Sequence, residues 1–339
     1  MLFPATRGKI SKEIHPTVFM LILNQRDLLD LLPPPRIIEA VERGMHALQA
    51  GAVAVPDRGH LHWQGNTLLT MPSGNDAFLG IKCVAVVPAN AQRDLPVTRG
   101  AMLLLRADTS EPLALLNAAA LTCQRTGAVG ALGMKYMTPA DTDSVGIVGV
   151  GVQGLWQAIF ACAVRPIRTI FYVTRKDGAA AHFETELASR ISGVKCVRCA
   201  DARELVECTR LVVTATTAAS PVLPDEADVL QGKHFIGVGS FRPNQQELPT
   251  SVCRVAGHLA IDSPAAIHET GDVLRPLESG VLQQADIFHI AELVTGQRTI
   301  DVNRATAFKS VGSALYDLYA AAAFYEHAAA SGVGAHVDF

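Results

Sequence analysis

Lys82 interrupts the run Leu79-Gly-Ile-Lys-Cys-Val-Ala-Val-Val87. That run reads as a buried strand, where an ammonium needs a counter-charge or a task. Strand alternation could instead aim it outward. Arg125 lies in Ala118–Gly133, a stretch of small and apolar residues read as a helix. A guanidinium in such a setting is costly unless paired. Its planar fork matches a carboxylate; the plain alternative is a helix arginine facing water.

A second constellation is Ser144-Val-Gly-Ile-Val-Gly-Val-Gly-Val-Gln-Gly154. A buried strand runs into Gly149-x-Gly151-x-x-Gly154, and an apolar segment of helical length follows. Gly149 permits a tight turn, Gly151 lets the backbone approach a pyrophosphate, and Gly154 lets the helix pack against the strand. Val152 and Gln153 open that helix, whose N-terminal N–H groups face the phosphates. The next strand ends in Thr174-Arg175-Lys176. No carboxylate stands at its tip to bind a ribose diol, and two cations follow, so NADP(H) is favoured over NAD(H). A solvated turn is the alternative for the pair.

These residues need a scaffold. Strands are expected at 144–149, 169–174, 194–199, 210–215, 234–239 and 258–262, with helices at 152–164, 178–191 and 202–208 between them. The alternation predicts an α/β protein with a doubly wound parallel sheet of Rossmann type. The earlier chain reads differently. A helix over 35–50 precedes strand-like stretches at 60–63, 67–71, 78–87, 98–106 and 112–116, several joined by hairpin turns such as Gln64-Gly-Asn66. Arg304–Ala330 reads as one long Ala-rich helix returning to that first region. The division is therefore 17–130 plus 304–339 as a smaller α+β domain, and 131–303 as the nucleotide-binding domain. Val18–Leu23 reads as a first strand rather than a signal peptide, because no cleavage site follows. Residues before Met20 form an extension without pattern.

Composition narrows the partners. The chain has 339 residues, 49% hydrophobic and 18% charged, enough for two cores. A net charge of −3 with no basic stripe argues against nucleic acid. No apolar run reaches membrane-spanning length. Seven scattered cysteines suit free thiols in a reducing cytoplasm. Cys196-Val-Arg-Cys199 has metal-like spacing but no second pair, so no metal is expected. His60 and His62 alternate on one strand, as a pair or as ordinary surface residues.

Several stretches in order resemble the ornithine cyclodeaminase/mu-crystallin family. They are Thr70-Met-Pro72, Gly80-Ile-Lys82 with Pro88-Ala-Asn90, Gln124-Arg-Thr-Gly-Ala128, Ile147–Gln153, Thr214-Ala-Thr216, Gly239-Ser-Phe-Arg-Pro243 with Glu247-Leu248, and Thr306-Ala-Phe-Lys-Ser-Val-Gly312. They run from about Met20 to the end. The resemblance implies a substrate and dimerisation domain, completed by the C-terminal helix, beside a Rossmann domain, and a homodimer. It places the substrate-carboxylate arginine at Arg125 and the active-site lysine at Lys82. Arg58 matches a further arginine near the carboxylate, although an ion pair with Asp57 suits its context equally. Thr216 falls in a cofactor-side motif. Ser240, after a glycine at a strand's C-terminal end, is a candidate for the nicotinamide side or for a helix cap. Lys309 is family-like, with packing of the C-terminal helix as its plain role.

The family's cyclodeaminases carry an aspartate where this chain has Phe241, which neither binds an ammonium by charge nor relays a proton. Their acidic residue near Leu69-Thr-Met71 is also missing. The resemblance is thus closest to the family's ketimine reductases. It implies NADPH-dependent reduction of a cyclic imino acid, Δ1-pyrroline-2-carboxylate to L-proline or Δ1-piperideine-2-carboxylate to L-pipecolate. The alternatives are an ornithine cyclodeaminase or alanine dehydrogenase-like enzyme, or a non-catalytic protein that binds NADP(H) and a small ligand.

Overall fold

The computed structural model describes residues 19–93 and 95–338. The N-terminal extension, Val18 and Phe339 lie outside the described residues.

Two eight-stranded sheets organise the chain. The second is parallel throughout, in the order Lys195–Arg198, Thr169–Val173, Ser144–Val148, Leu211–Thr214, His234–Gly237, Thr306–Lys309, Leu259–Ile261, Ile287–His289. It is a doubly wound Rossmann-type sheet. Short apolar strands such as Leu211–Thr214 are wholly buried, as a sheet covered on both faces requires. Chain order reverses on either side of Ser144–Val148, and the crevice at such a switch point is where ligands of this fold bind.

The first sheet is mostly antiparallel. Its core is the meander Asn66–Asn75, Phe78–Val86, Thr98–Arg106, Pro112–Asn117. Gly59–Trp63 pairs with Asn66–Asn75 through a two-residue turn, with Gln64 and Gly65 both at positive φ. Phe19–Leu23 adds in parallel to Pro112–Asn117, and Ala335–Asp338 closes the far edge. That last strand escaped the sequence reading, being four exposed residues after a glycine.

Helix Ala118–Met137 is the shared wall between the two sheets. It packs on helix Val152–Val164 of the second and helix Pro34–Gln49 of the first. Gly127 and Gly130 make the approach possible. A Cβ at Gly130 would stand 1.9 Å from Gln157 Oε1, and one at Gly127 would stand 2.7 Å from Phe160. The helix runs four residues beyond Gly133 and stops at Thr138, because Pro139 disfavours helical geometry in the residue before it.

The expected single helix over 304–330 is corrected. Thr306–Lys309 is a buried strand in the second sheet, and only Ala314–Ser331 is helical. Thr306–Lys309 pairs along its length with His234–Gly237, Phe308 and Lys309 pair on the other side as well, and that overrides a helical pattern read from alanines further on. The chain therefore leaves the second sheet after Lys309, not before Arg304. Helix Ala314–Ser331 packs on the first sheet and on Pro34–Gln49. Ser73 Oγ donates to Ala314 O at 3.0 Å, and Gly332 ends the helix in the left-handed conformation. Among the described residues no helix is long and apolar enough to cross a membrane.

A Cβ at Gly154 would lie 2.0 Å from the carbonyl oxygen of Gly149. Both partners are backbone, so neither yields cheaply. Gly154→Ala is expected to destabilise the protein by about 1–3 kcal/mol through overpacking. A urea-unfolding midpoint equal to wild type would contradict this close contact.

Candidate active site

The glycine turn has the shape a dinucleotide needs. Gly149 sits at φ +96°, and a Cβ there would lie 2.7 Å from Ala215 O. Space around Gly151 is open, and the helix from Val152 starts with no side-chain cap. Its first N–H groups are therefore available to an anion. Val152 is 66% exposed at that mouth. Gln153 Oε1 is buried without a partner, a polar atom waiting for a donor. These features fit a nicotinamide dinucleotide laid across the turn. Thr216 faces the same cleft from the loop after Leu211–Thr214.

Thr174, Arg175 and Lys176 stand at the tip of Thr169–Val173, outside the cleft wall. Arg175 and Lys176 are exposed, and Thr174 Oγ1 accepts from Lys176 N at 3.3 Å.

The cleft, about 980 Å³, lies between the two sheets and brings Arg58, Lys82 and Arg125 together with Gly151, Val152, Gln153 and Thr216. Lys82 and Arg125 reach it from the meander and from the shared helix, both almost fully buried. They share one carboxylate. Asp317 Oδ2 is 2.6 Å from Lys82 Nζ, and Asp317 Oδ1 accepts from Arg125 Nε at 2.9 Å. Burial pulls the Lys82 pKa down to about 8; Asp317 opposes this, while Arg125 and Arg58 add to it. Burial alone would raise the Asp317 carboxyl, but Lys82 and Arg125 outweigh it and hold it below its ordinary value. Asp317 is thus a fixed anion.

Arg58 does not pair with Asp57. Its Nε is 3.4 Å from Glu269 Oε1, and it donates to Gly312 O at 2.6 Å. Burial raises the Glu269 pKa in spite of that arginine. Gly312 has φ +81°, and a Cβ on it would lie 2.7 Å from Arg125 Nη1. Its loop is held by Asp262, which accepts from Val311 N, Gly312 N and Ser310 Oγ at 2.9, 2.8 and 2.6 Å.

Ser240 and Lys309 are placed elsewhere. Ser240 is fully buried and off the cleft wall, hydrogen-bonded to Thr270, Asp272 and Lys309. Lys309 does not pack the C-terminal helix. It lies 2.8 Å from Asp272, with Glu247 3.8 Å away. Glu247 in turn accepts from Thr216 N, Gly239 N and Ser240 N at 2.5, 2.6 and 3.0 Å. This buried network fixes the two loops that flank the cleft. Phe241 is 41% exposed on the cleft wall, with the Arg242 guanidinium 5.4 Å from its ring. His60 and His62 are exposed neighbours, their rings 6.0 Å apart, and His62 Nδ1 lies 3.1 Å from Thr67 Oγ1. Among the described residues no three His, Cys, Asp or Glu side chains gather in a metal-binding group.

Sequence reasoning missed Asp317 and Glu269. Asp317 did leave a signal: it is the one carboxylate in Ala314-Leu-Tyr-Asp-Leu-Tyr-Ala-Ala-Ala-Ala323. A lone acid on an apolar helix faces the same argument as Arg125.

The sequence profile of the ornithine cyclodeaminase/mu-crystallin family matches residues 21–332. The chain belongs to that family. It is 33% identical to a Δ(1)-pyrroline-2-carboxylate reductase of Bacillus cereus, over 94% of this chain and all of that one. The structure of Thermococcus litoralis Δ(1)-pyrroline-2-carboxylate reductase, in complex with NADH and L-proline, superposes with a TM-score of 0.87 at 32% identity, covering 94% of this chain and 100% of that one. An archaeal alanine dehydrogenase dimer with bound NAD gives 0.86 at 26% identity, with 95% and 99% covered. This family member is an oxidoreductase with a nicotinamide cofactor.

Removing the Asp317 charge leaves two buried cations facing each other. Asp317→Asn is expected to cost about 3–5 kcal/mol of stability and to lower the Lys82 pKa further. Urea unfolding measures the first and the alkaline limb of the pH profile the second. A variant unchanged in both would show that the two cations do not depend on Asp317.

Proposed function

We propose that this cleft reduces a cyclic ketimine carboxylate: Δ1-pyrroline-2-carboxylate to L-proline, with Δ1-piperideine-2-carboxylate to L-pipecolate as a second reaction, using NADPH in preference to NADH. The enzyme acts on C=N and CH–NH bonds. The observation that carries this is the charge balance. Arg58, Lys82 and Arg125 face Asp317 and Glu269, so at least one positive charge is left for a ligand carboxylate. The wall beside them is apolar, through Leu69, Met71, Val84 and Phe241. A neutral ring with one carboxylate matches that lining; a second ammonium, as in ornithine, has no acid to meet it at Phe241.

Each residue has a task. Arg125, held by Asp317 and backed by Gly312, binds the carboxylate with the guanidinium edge Asp317 leaves free. Arg58 closes the carboxylate from the other side. Lys82 orients it and holds a proton at Nζ for the ring nitrogen, directly or through water. A pKa of about 8 leaves Lys82 protonated at neutral pH yet close enough to give its proton up. Asp317 stays ionised and donates nothing. A reduced nicotinamide dinucleotide held by its pyrophosphate at the Gly149–Gly154 turn would supply a hydride for the imine carbon. Arg175 and Lys176 would meet a 2′-phosphate at the strand tip.

The exposed apolar side chains Leu61, Trp63 and Leu68 on the first sheet support a homodimer through that sheet. All seven cysteines are free, in keeping with a reducing cytoplasm.

NADPH oxidation at 340 nm is expected with both cyclic imines and not with ornithine, lysine or pyruvate plus ammonia. Turnover of ornithine alone would overturn the reading. So would tight nucleotide binding with no turnover on the whole panel, which would favour a binding protein. Lys82→Ala is expected to lose about 10² or more in kcat/KM, and an unchanged rate would remove Lys82 from the mechanism. The sign of the pH effect follows from the lowered pKa. Lys82 carries its proton below pH about 8 and loses it above, so kcat/KM for imine reduction, which reports the free enzyme, falls as pH rises through that value, while that for oxidation of L-proline rises. A reduction rate flat from pH 6 to 10 would contradict this. Arg175→Ala should raise KM for NADPH and leave NADH nearly unchanged. Equal use of the two nucleotides by wild type would refute the cofactor preference.

A further inference from the structure

The strand tip carrying Thr174-Arg175-Lys176 has a third cation that local sequence does not reveal. Lys195–Arg198 is the neighbouring parallel strand, registered so that Arg198 lies opposite Tyr172, two residues before the tip. The Arg198 side chain bends over that tip. Its Nη2 is 3.5 Å from Thr174 O, and its Nη1 is 2.8 Å from Asp177 Oδ1. Asp177 opens the helix that follows, and it is the nearest carboxylate in sequence to the strand end. A free acid there would accept from a ribose diol and repel a 2′-phosphate. Held by Arg198, it is neutralised.

We propose that Arg198 is the third cation of the 2′-phosphate site and that Asp177 is its built-in competitor, so that this one ion pair sets how strongly the protein discriminates between the two dinucleotides. The inference rests on the NADPH preference proposed above. The geometry gives it a direction. Both partners are open to water, Arg198 side-chain exposure being 44% and Asp177 89%. A solvated ion pair holds its members weakly. A phosphate carries more charge, and it fits the planar guanidinium fork at two oxygens. A 2′-phosphate arriving between Arg175, Lys176 and Arg198 therefore draws Arg198 away from Asp177. Without a 2′-phosphate, Arg198 stays on Asp177 and adds nothing to affinity. Asp177 also favours its own place at a helix N-terminus, so it remains as a standing counter-charge that moderates the site.

Equilibrium binding tests this without turnover. Titration calorimetry on the full-length protein would compare NADP⁺ with NAD⁺, and 2′,5′-ADP with 5′-AMP, for wild type, Arg198→Ala, Arg198→Lys and Asp177→Asn. Arg198→Ala is expected to weaken NADP⁺ and 2′,5′-ADP about tenfold, as for loss of one charge-assisted contact, with NAD⁺ and 5′-AMP not weakened and at most about twofold tighter through the freed Asp177. Arg198→Lys should recover part of that loss. Asp177→Asn should tighten NADP⁺ about threefold, and the gain should shrink as salt rises. A wild type that prefers NADP⁺ while Arg198→Ala binds it unchanged would overturn this inference and leave the NADPH preference standing. A wild type without preference, or preferring NAD⁺, would overturn the preference itself. Equal weakening of all four ligands by Arg198→Ala would mark a structural residue and also overturn the proposal.

Discussion

The buried carboxylate of Asp317, set between Lys82 and Arg125, is the constraint on which the rest of the site depends. Three elements far apart in sequence meet there: a strand of the meander, the helix shared by both sheets, and the C-terminal helix. Neither the two cations without the acid nor the acid without them would be tolerable. An ammonium and a guanidinium in an apolar cleft repel each other, and an isolated buried carboxylate would take up a proton. Together they stay ionised with fixed geometry. The chain must therefore pass through the second sheet and return, because the return delivers Asp317. Chain path and site charge are two aspects of one requirement.

The crossing itself is engineered with a second acid. Asp262, at the end of Leu259–Ile261, accepts from Ser310, Val311 and Gly312, and its own carbonyl accepts from Tyr316 Oη at 2.7 Å. The loop so held offers Gly312 O to Arg58 and lays a glycine against the Arg125 guanidinium. Any side chain at Gly312 would displace that arginine. On the cofactor side, Glu247, Asp272 and Lys309 do for the Thr216 and Gly239 loops what Asp262 does for this one. Loops tied down at strand ends let two sheets present one cleft.

The sequence carried the local features well and the long-range ones poorly. The helix Val152–Val164 and the strand Thr98–Arg106 fall where their periodicity and turns put them, because nearest neighbours decide those elements. Lys82 and Arg125 were legible as misfits in apolar segments. Asp317 was the same kind of misfit, but the alanines around it read as a helix of uniform face. Its partners lie 235 and 192 residues away in sequence, beyond any local pattern. Thr306–Lys309 was misassigned for the same reason: four residues become a strand only because partners on both sides complete their hydrogen bonds. Ser240 shows the converse. Its place after a strand-end glycine suggested a ligand contact, yet Thr270, Asp272 and Lys309 already occupy its hydroxyl.

Replacing such a charge cluster by apolar residues of similar volume is often neutral or stabilising, so stability alone does not explain its presence. The direction of the Lys82 shift points to what does. Burial wins over Asp317 and leaves the ammonium short of negative charge. A ligand carboxylate between Arg58, Arg125 and Lys82 would supply that charge and raise the Lys82 pKa again. Ligand binding and protonation of Lys82 then favour each other, each by the same free energy. In the proposed reaction the substrate carboxylate would keep that proton on Lys82, beside the imine nitrogen, at a pH where the lysine by itself would lose it. Asp317 is strong enough to place the two cations and too weak to satisfy them both, and that shortfall is what the proposed carboxylate substrate would complete.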